Sequence, residues 1–145
     1  MENRVVILLF MVLILGSCKK DEYTDAPVIS ELVISPMIVE EFTDTVSISF
    51  IYDDINGDIG YEDPNLNSIF VRDSRLAAPD EYHIPPQTPD LQELTIQGSI
   101  SLRLNNLFIL GNDSTESVVL TVRIFDRAGN GSNELVSDSV LVIRQ

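Results

Sequence analysis

Leu94-Thr95-Ile96-Gln97-Gly98-Ser99-Ile100-Ser101-Leu102-Arg103-Leu104 is the stretch that decides the fold. Leu94, Ile96, Gly98, Ile100, Leu102 and Leu104 recur at every second position, and the polar Thr95, Gln97, Ser99, Ser101 and Arg103 fill the places between them. A strand turns successive side chains to opposite faces, so this period sets one row on a core and the other in water. Working outward, Val46, Ile48, Phe50 and Tyr52 alternate with Ser47, Ser49 and Ile51. Val118, Leu120, Val122 and Ile124 alternate with Val119, Thr121, Arg123 and Phe125. Val140 to Ile143 predicts a final apolar strand, and Val28 to Ser35 and Ser68 to Arg72 predict shorter ones. After residue 27, only Asn105 to Leu110 has a spacing that suits even a single helical turn.

Six or seven short strands separated by Gly, Pro, Asn and Asp clusters, with no helical crossovers, predict an all-β chain folded as one antiparallel sandwich over residues 28–145. Phe125-Asp126-Arg127-Ala128-Gly129-Asn130, followed by Ser132-Asn133, resembles the Asp-x-Ala-Gly-Asn-x-Ser turn between the last two strands of bacterial immunoglobulin-like domains. The resemblance implies an immunoglobulin-like β-sandwich of about seven strands. The Cys and Trp of antibody-type domains have no counterpart here, so the likeness reaches the sandwich and not that family. The turn has a local rationale: Gly129 accepts positive φ, and Asp126 and Asn130 can bond neighbouring amides.

At the N-terminus, Val5 to Leu15 is an unbroken run of eleven apolar residues. A helix rising ~1.5 Å per residue covers only about half of a ~30 Å hydrocarbon layer with that length. Arg4 before the run and the small Gly16 and Ser17 after it give the layout of a secretory signal. Leu15-Gly16-Ser17-Cys18 resembles the bacterial lipobox, which implies removal of residues 1–17 and a covalent lipid on Cys18. The competing reading is an ordinary signal peptide with an incidental cysteine. Cys18-Lys19-Lys20-Asp21-Glu22 is similar to the lysine-then-acid signal that sends some Gram-negative lipoproteins to the outer face of the outer membrane. That resemblance implies an outer-membrane lipoprotein exposed at the cell surface, with a periplasm-facing anchor as the alternative. Residues 18–27 read as a lipidated, polar tether.

The chain carries 23 acidic and 9 basic residues. Loss of residues 1–17 removes Glu2 and Arg4, leaving 22 and 8 and an unchanged net charge of −14. This field repels nucleic acid and anionic headgroups, so membrane attachment rests on acyl chains, each buried methylene contributing ~0.8 kcal/mol. With the single cysteine committed to lipid, no disulfide is available, and the core alone must hold the fold.

Asp53-Asp54-Ile55-Asn56-Gly57-Asp58-Ile59-Gly60-Tyr61-Glu62-Asp63 is the segment with the most chemistry. Ca²⁺ takes six to eight oxygen ligands, and the alternate spacing of Asp54, Asn56 and Asp58 can supply several, with Asp53, Glu62, Asp63 and Asp126 as further donors. A helix-loop-helix calcium loop is a poor match: Ile59 stands where Gly is needed, and the twelfth position counted from Asp54 is Asn65 instead of Glu. The stretch resembles the Asp-x-Asn/Asp-Gly-Asp-Ile-Gly loops of small surface-type bacterial lipoproteins of immunoglobulin-like fold. The other reading is a solvated loop with a tight turn at Asn56-Gly57. In an immunoglobulin-like topology the loops after the second and sixth strands emerge at one end, which brings Asp126 and Asn130 toward residues 53–63. The first strand starts at that same end, so the acidic pole is expected beside the tether.

Catalytic readings find little footing. His83, the only histidine, lies in Asp80-Glu81-Tyr82-His83-Ile84-Pro85-Pro86 with no neighbouring nucleophile motif, and spacing alone selects no carboxylate pair. Tyr82, Pro85, Pro86 and Pro89 are expected to form a rigid connection between strands or an exposed contact for a peptide or glycan. The expectation is therefore a lipid-anchored, non-catalytic binding or structural module of the cell envelope, whose partner is a protein or a glycan. The alternative is an accessory subunit of a larger outer-membrane or surface complex, which would present an apolar or strand-edge surface.

Overall fold

The computed structural model describes residues 25–88 and 94–145; the expected signal peptide, Cys18, most of the expected tether and Pro89 lie outside the described residues. Ten strands form among the described residues: β1 (Val28–Ser35), β2 (Ile38–Glu40), β3 (Ser47–Asp54), β4 (Ile69–Asp73), β5 (Asp80–Tyr82), β6 (Ile96–Arg103), β7 (Thr115–Val118), β8 (Leu120–Ile124), β9 (Leu135–Val136) and β10 (Val140–Ile143). One layer has the order β1-β3-β6, and the other combines β5-β4-β8-β9 with β2-β10-β7. Those last two sets are halves of one sheet. Only Val119 separates β7 from β8, and the consecutive β9 and β10 pair with β8 and β7 respectively. Counted as continuous runs (β1–β2, β3, β4, β5, β6, β7–β8, β9–β10), the strands number seven, in the two-layer order of an immunoglobulin-like sandwich.

The alternation read from sequence is the alternation of burial in β3 and β8, whereas of the row from Leu94 to Leu104 only Ile100 and Leu104 are buried, and Leu94, ahead of β6, is 46% exposed. Val46, Ile48, Phe50 and Tyr52 face inward from β3 and its lead-in, and meet Val118, Leu120, Val122 and Ile124 from the opposite layer. Full burial of such a side chain contributes roughly 1.5–3 kcal/mol, so these rows are what join the sheets. Pairing is antiparallel throughout except between β2 and β10, which run parallel because the chain crosses from one layer to the other after β1.

Several boundaries differ from the sequence reading. β3 runs on through Asp53 and Asp54, so these two residues belong to a strand and not to the loop after it. Asn105 to Leu110 is not a helical turn: Leu107 and Ile109 are buried while Asn106, Phe108 and Leu110 are exposed. Its hydrogen bonds go sideways, the Phe42 amide to the Leu107 carbonyl at 3.2 Å and the Ile109 amide to Glu41 Oε2 at 3.1 Å. Asp80–Tyr82, read as part of a connection, pairs with β4 as a short edge strand whose polar side chains left no apolar alternation to see.

Strand register places the loops. β1 begins with Val28 opposite Asp53 and ends with Ser35 opposite Ser47, which also faces Arg103 at the end of β6. Residues 53–63 and 125–133 therefore gather at the N-terminal pole, and residues 36–46, 74–79 and 104–114 gather at the other.

Candidate functional site

The acidic pole grows out of the strand pattern. Asp54 takes the inward phase of β3 after Tyr52, and Asp126 takes the inward phase after Ile124, leaving these carboxylates 1% and 0% exposed. Each turns back the chain it ends. Asp54 accepts the Asn56 amide at 3.2 Å and the Ile59 amide at 3.3 Å. Asp126 accepts the Asn130 amide at 2.7 Å through one oxygen and Asn130 Nδ2 at 2.8 Å through the other. Ile59, fully buried, forms a β-bridge with Asp126 and closes the end of the core.

The two loops are bonded to each other, as the topology implied. Arg127 donates its backbone amide to the Asp58 carbonyl and its Nη1 to the Gly60 carbonyl, both at 3.0 Å, and Tyr61 Oη donates to the Asp126 carbonyl at 3.1 Å. Gly60 adopts φ +88°, and a Cβ there would collide with the Pro85 carbonyl oxygen, so this loop packs on residues 84–87 with no space to spare. The Asp58 Oδ1 atom is buried and has no hydrogen-bond partner among the described residues. Burial raises the Asp58 pKa above the ordinary carboxylate value, and the charges of Asp126 and Asp54 raise it further, opposed by Arg127 and the Ala128 amide.

Of the residues expected to hold calcium, the fold thus sets Asp58 within electrostatic reach of Asp126 and Asp54. It sends the others elsewhere. Asn56 donates through Nδ2 to the Asp25 carbonyl at 3.5 Å, Asp53 lies exposed on the outer face of β3, and Glu62 is exposed. Asp63 caps its own turn by accepting the Asn65 amide at 2.9 Å, which lowers its pKa. Among the described residues, no group of three or more His, Cys, Asp and Glu side chains is arranged to hold a metal ion.

The opposite pole carries features that sequence reasoning passed over. Phe42 and Phe108 stack with ring centroids 5.6 Å apart and an interplanar angle of 7°, yet Phe42 is 65% exposed. Leu76 and Leu110 are also exposed at this pole. Arg75 binds Asp73 at 2.6 Å and Glu116 at 2.9 Å and donates to the Phe108 carbonyl at 2.8 Å. Hydrogen bonding to Asp73 foremost raises the Arg75 pKa, so the guanidinium is a fixed cation that ties residues 73–75 to 108 and 116. Phe42 and Phe108 sit 66 positions apart, and they are brought together by the bond from the Phe42 amide to the Leu107 carbonyl and by that from Asn106 Nδ2 to the Phe42 carbonyl.

No family model matches the chain, and no curated protein matches it. Among solved structures it is similar to a mutant of the SrpA adhesin from Streptococcus sanguinis, with a TM-score of 0.33 and 19% identity, over 84% of this chain and 58% of that one. The chain thus spans less than two thirds of that structure.

Proposed function

We propose that this β-sandwich is a non-catalytic binding or structural module of the bacterial cell envelope, lipid-anchored at Cys18 and presented on the outer membrane. The observation that carries the reading is the division between its poles. The described chain enters at Asp25 beside the acidic loops, and the far pole exposes a stacked aromatic pair, where burial would be expected for a domain with nothing to meet. A tether at one end and apolar contact groups at the other suit a module held at a surface and facing away from it. Replacing Cys18 with Ala and following palmitate incorporation tests the anchor: the label should vanish and the domain should leave the membrane fraction. External protease on intact cells tests display, and digestion only after lysis would put the domain on the periplasmic side.

The accessory-subunit reading draws support from a different place. Val33, Ile38 and Val136 are 58%, 59% and 63% exposed, on the three short or edge strands β1, β2 and β9. Purification under native conditions with a stoichiometric envelope partner would favour it, and a monomer on purification would count against it.

Calcium belongs to the same proposal as a brace. A cation reaching Asp58 Oδ1 would supply the partner that atom lacks and offset the repulsion among Asp58, Asp126 and Asp54. Such an ion would stiffen the junction next to the tether and leave the far pole free.

A further inference from the structure

At the pole away from the tether, a cleft opens between the two sheets. Its volume is about 190 Å³. Val71, Leu104 and Leu120 lie beneath it, closed off in the core, and its exposed apolar side chains are Leu76 and Phe108, with Asp80 and Asn105 beside them. Clefts that take drug-sized ligands run roughly 300–1,000 Å³, so this one suits a single ring.

We propose that this cleft binds one neutral hexopyranose unit, such as the terminal sugar of a glycan; the inference rests on reading the chain as a binding module. The chemistry of the lining narrows the ligand. A pyranose has one face of C–H bonds and a rim of hydroxyls, and the lining sets the exposed apolar Leu76 and Phe108 beside the polar Asp80 and Asn105. Asp80 and Asn105 are exposed, and neither side chain makes a hydrogen bond among the described residues, so both are available to sugar hydroxyls. Asn106 spends its Nδ2 on the Phe42 carbonyl at 2.7 Å and keeps its side-chain oxygen as an acceptor. Arg75, the one cation in the lining among the described residues, is taken by Asp73, Glu116 and the Phe108 carbonyl. No free positive charge is left to hold a carboxylate or sulfate, and the net charge of −14 repels one. The same Arg75 bonds fix residues 73–75 against residue 108, so the walls are set before a ligand arrives.

A ligand this small binds on the order of millimolar. The test uses the full-length lipidated chain in a sugar-free detergent, titrated with the methyl α-glycosides of glucose, mannose and galactose, with glucuronate as the anionic comparison. Saturation-transfer NMR and the shift of the Asn105 side-chain amide are both recorded. The expected result is saturable transfer from at least one neutral glycoside, a matching shift at Asn105, and none from glucuronate. Asp80→Ala and Asn105→Ala should each weaken binding about fivefold, as loss of one hydrogen bond does, with an unchanged melting midpoint. Glu62→Gln at the acidic pole should leave it unaltered. The proposal is overturned if no neutral glycoside saturates, if Asn105 does not shift, or if an apolar tetrapeptide saturates the cleft where sugars do not. A failed sugar titration with intact Cys18 labelling removes only this ligand class, whereas a label that survives Cys18→Ala removes the anchored-module reading itself.

Discussion

Arg127 donates its backbone amide to the carbonyl of Asp58 at 3.0 Å, joining two loops that lie far apart in the chain. The bond is possible because β3 and β8 both deliver an inward-facing aspartate to the same end of the sandwich, Asp54 and Asp126. Both side chains are spent on local turns, so the pole is organised by carboxylates acting as chain terminators.

The first prediction follows from the two bonds that Asp126 accepts from Asn130. Asp126→Ala leaves the Asn130 amide without its acceptor in a buried setting, which costs roughly 1–3 kcal/mol for that group. The midpoint of thermal unfolding should fall by several degrees, with Asp126→Asn falling less because one acceptor oxygen remains. An unchanged midpoint in Asp126→Ala would show that the turn holds without its side chain.

Two glycines with the same φ of +88° separate backbone strain from steric contact. Gly129 has open space where a Cβ would sit, whereas at Gly60 the Pro85 carbonyl occupies that space. Gly129→Ala should cost about 1–2 kcal/mol, the left-handed conformation alone. Gly60→Ala should cost clearly more, since residues 84–87 must shift as well, and denaturant melts of the two variants compare them directly.

How much of this was legible follows from what a sequence pattern encodes. A period of two is a local property, so the inward rows of β3 and β8 were visible down to the residues that line the core; in β6 the period was visible but only Ile100 is fully inside, because how deep a row sits is set by the facing layer. The shared pole of residues 53–63 and 125–133 was also within reach, because it depends only on strand count and topology. Side-chain aim was not. Asn56 lies between Asp54 and Asp58 in sequence, but the turn at Gly57 sends its amide to Asp25. β5 and the Phe42–Phe108 stack stayed hidden because each is created by a tertiary neighbour and leaves no periodic trace.

Tyr52 and Tyr82 give a pH dependence. Burial raises both phenol pKa values above the ordinary ~10; the charge of Asp54 raises that of Tyr52 further, and at Tyr82 the Asn105 backbone opposes the rise while Asp80 adds to it. A raised folded-state pKa means that the unfolded chain ionises first. The associated stability is therefore complete below about pH 10 and is lost as pH rises through the folded values. In an ultraviolet titration, two of the four tyrosines should ionise late, and their ionisation should coincide with unfolding. Ionisation of all four as one group near the ordinary value, with the fold intact, would contradict this.

The last prediction sets calcium against protonation at Asp58. Its folded-state pKa is raised, so the ionised side chain opposes folding: the stability it contributes when protonated is lost as pH rises from the ordinary carboxylate value through the folded one. Asp58→Asn removes that charge at nearly constant shape and should raise the midpoint of the domain from residue 19 onward in the presence of chelator. Calcium at ~100 times Kd adds ~2.7 kcal/mol if it binds only the folded state, which amounts to several degrees. Magnesium, which demands a smaller octahedral shell, should add less. The unaltered domain should therefore gain from calcium, and Asp58→Asn should begin higher and gain little, while Asp113→Asn, in the loop of the far pole, should behave like the unaltered domain. Equal midpoints for the unaltered domain in chelator and in millimolar calcium would leave Asp54, Asp58 and Asp126 as a purely structural junction, and the chelator-only comparison would still measure what the Asp58 charge does to folding.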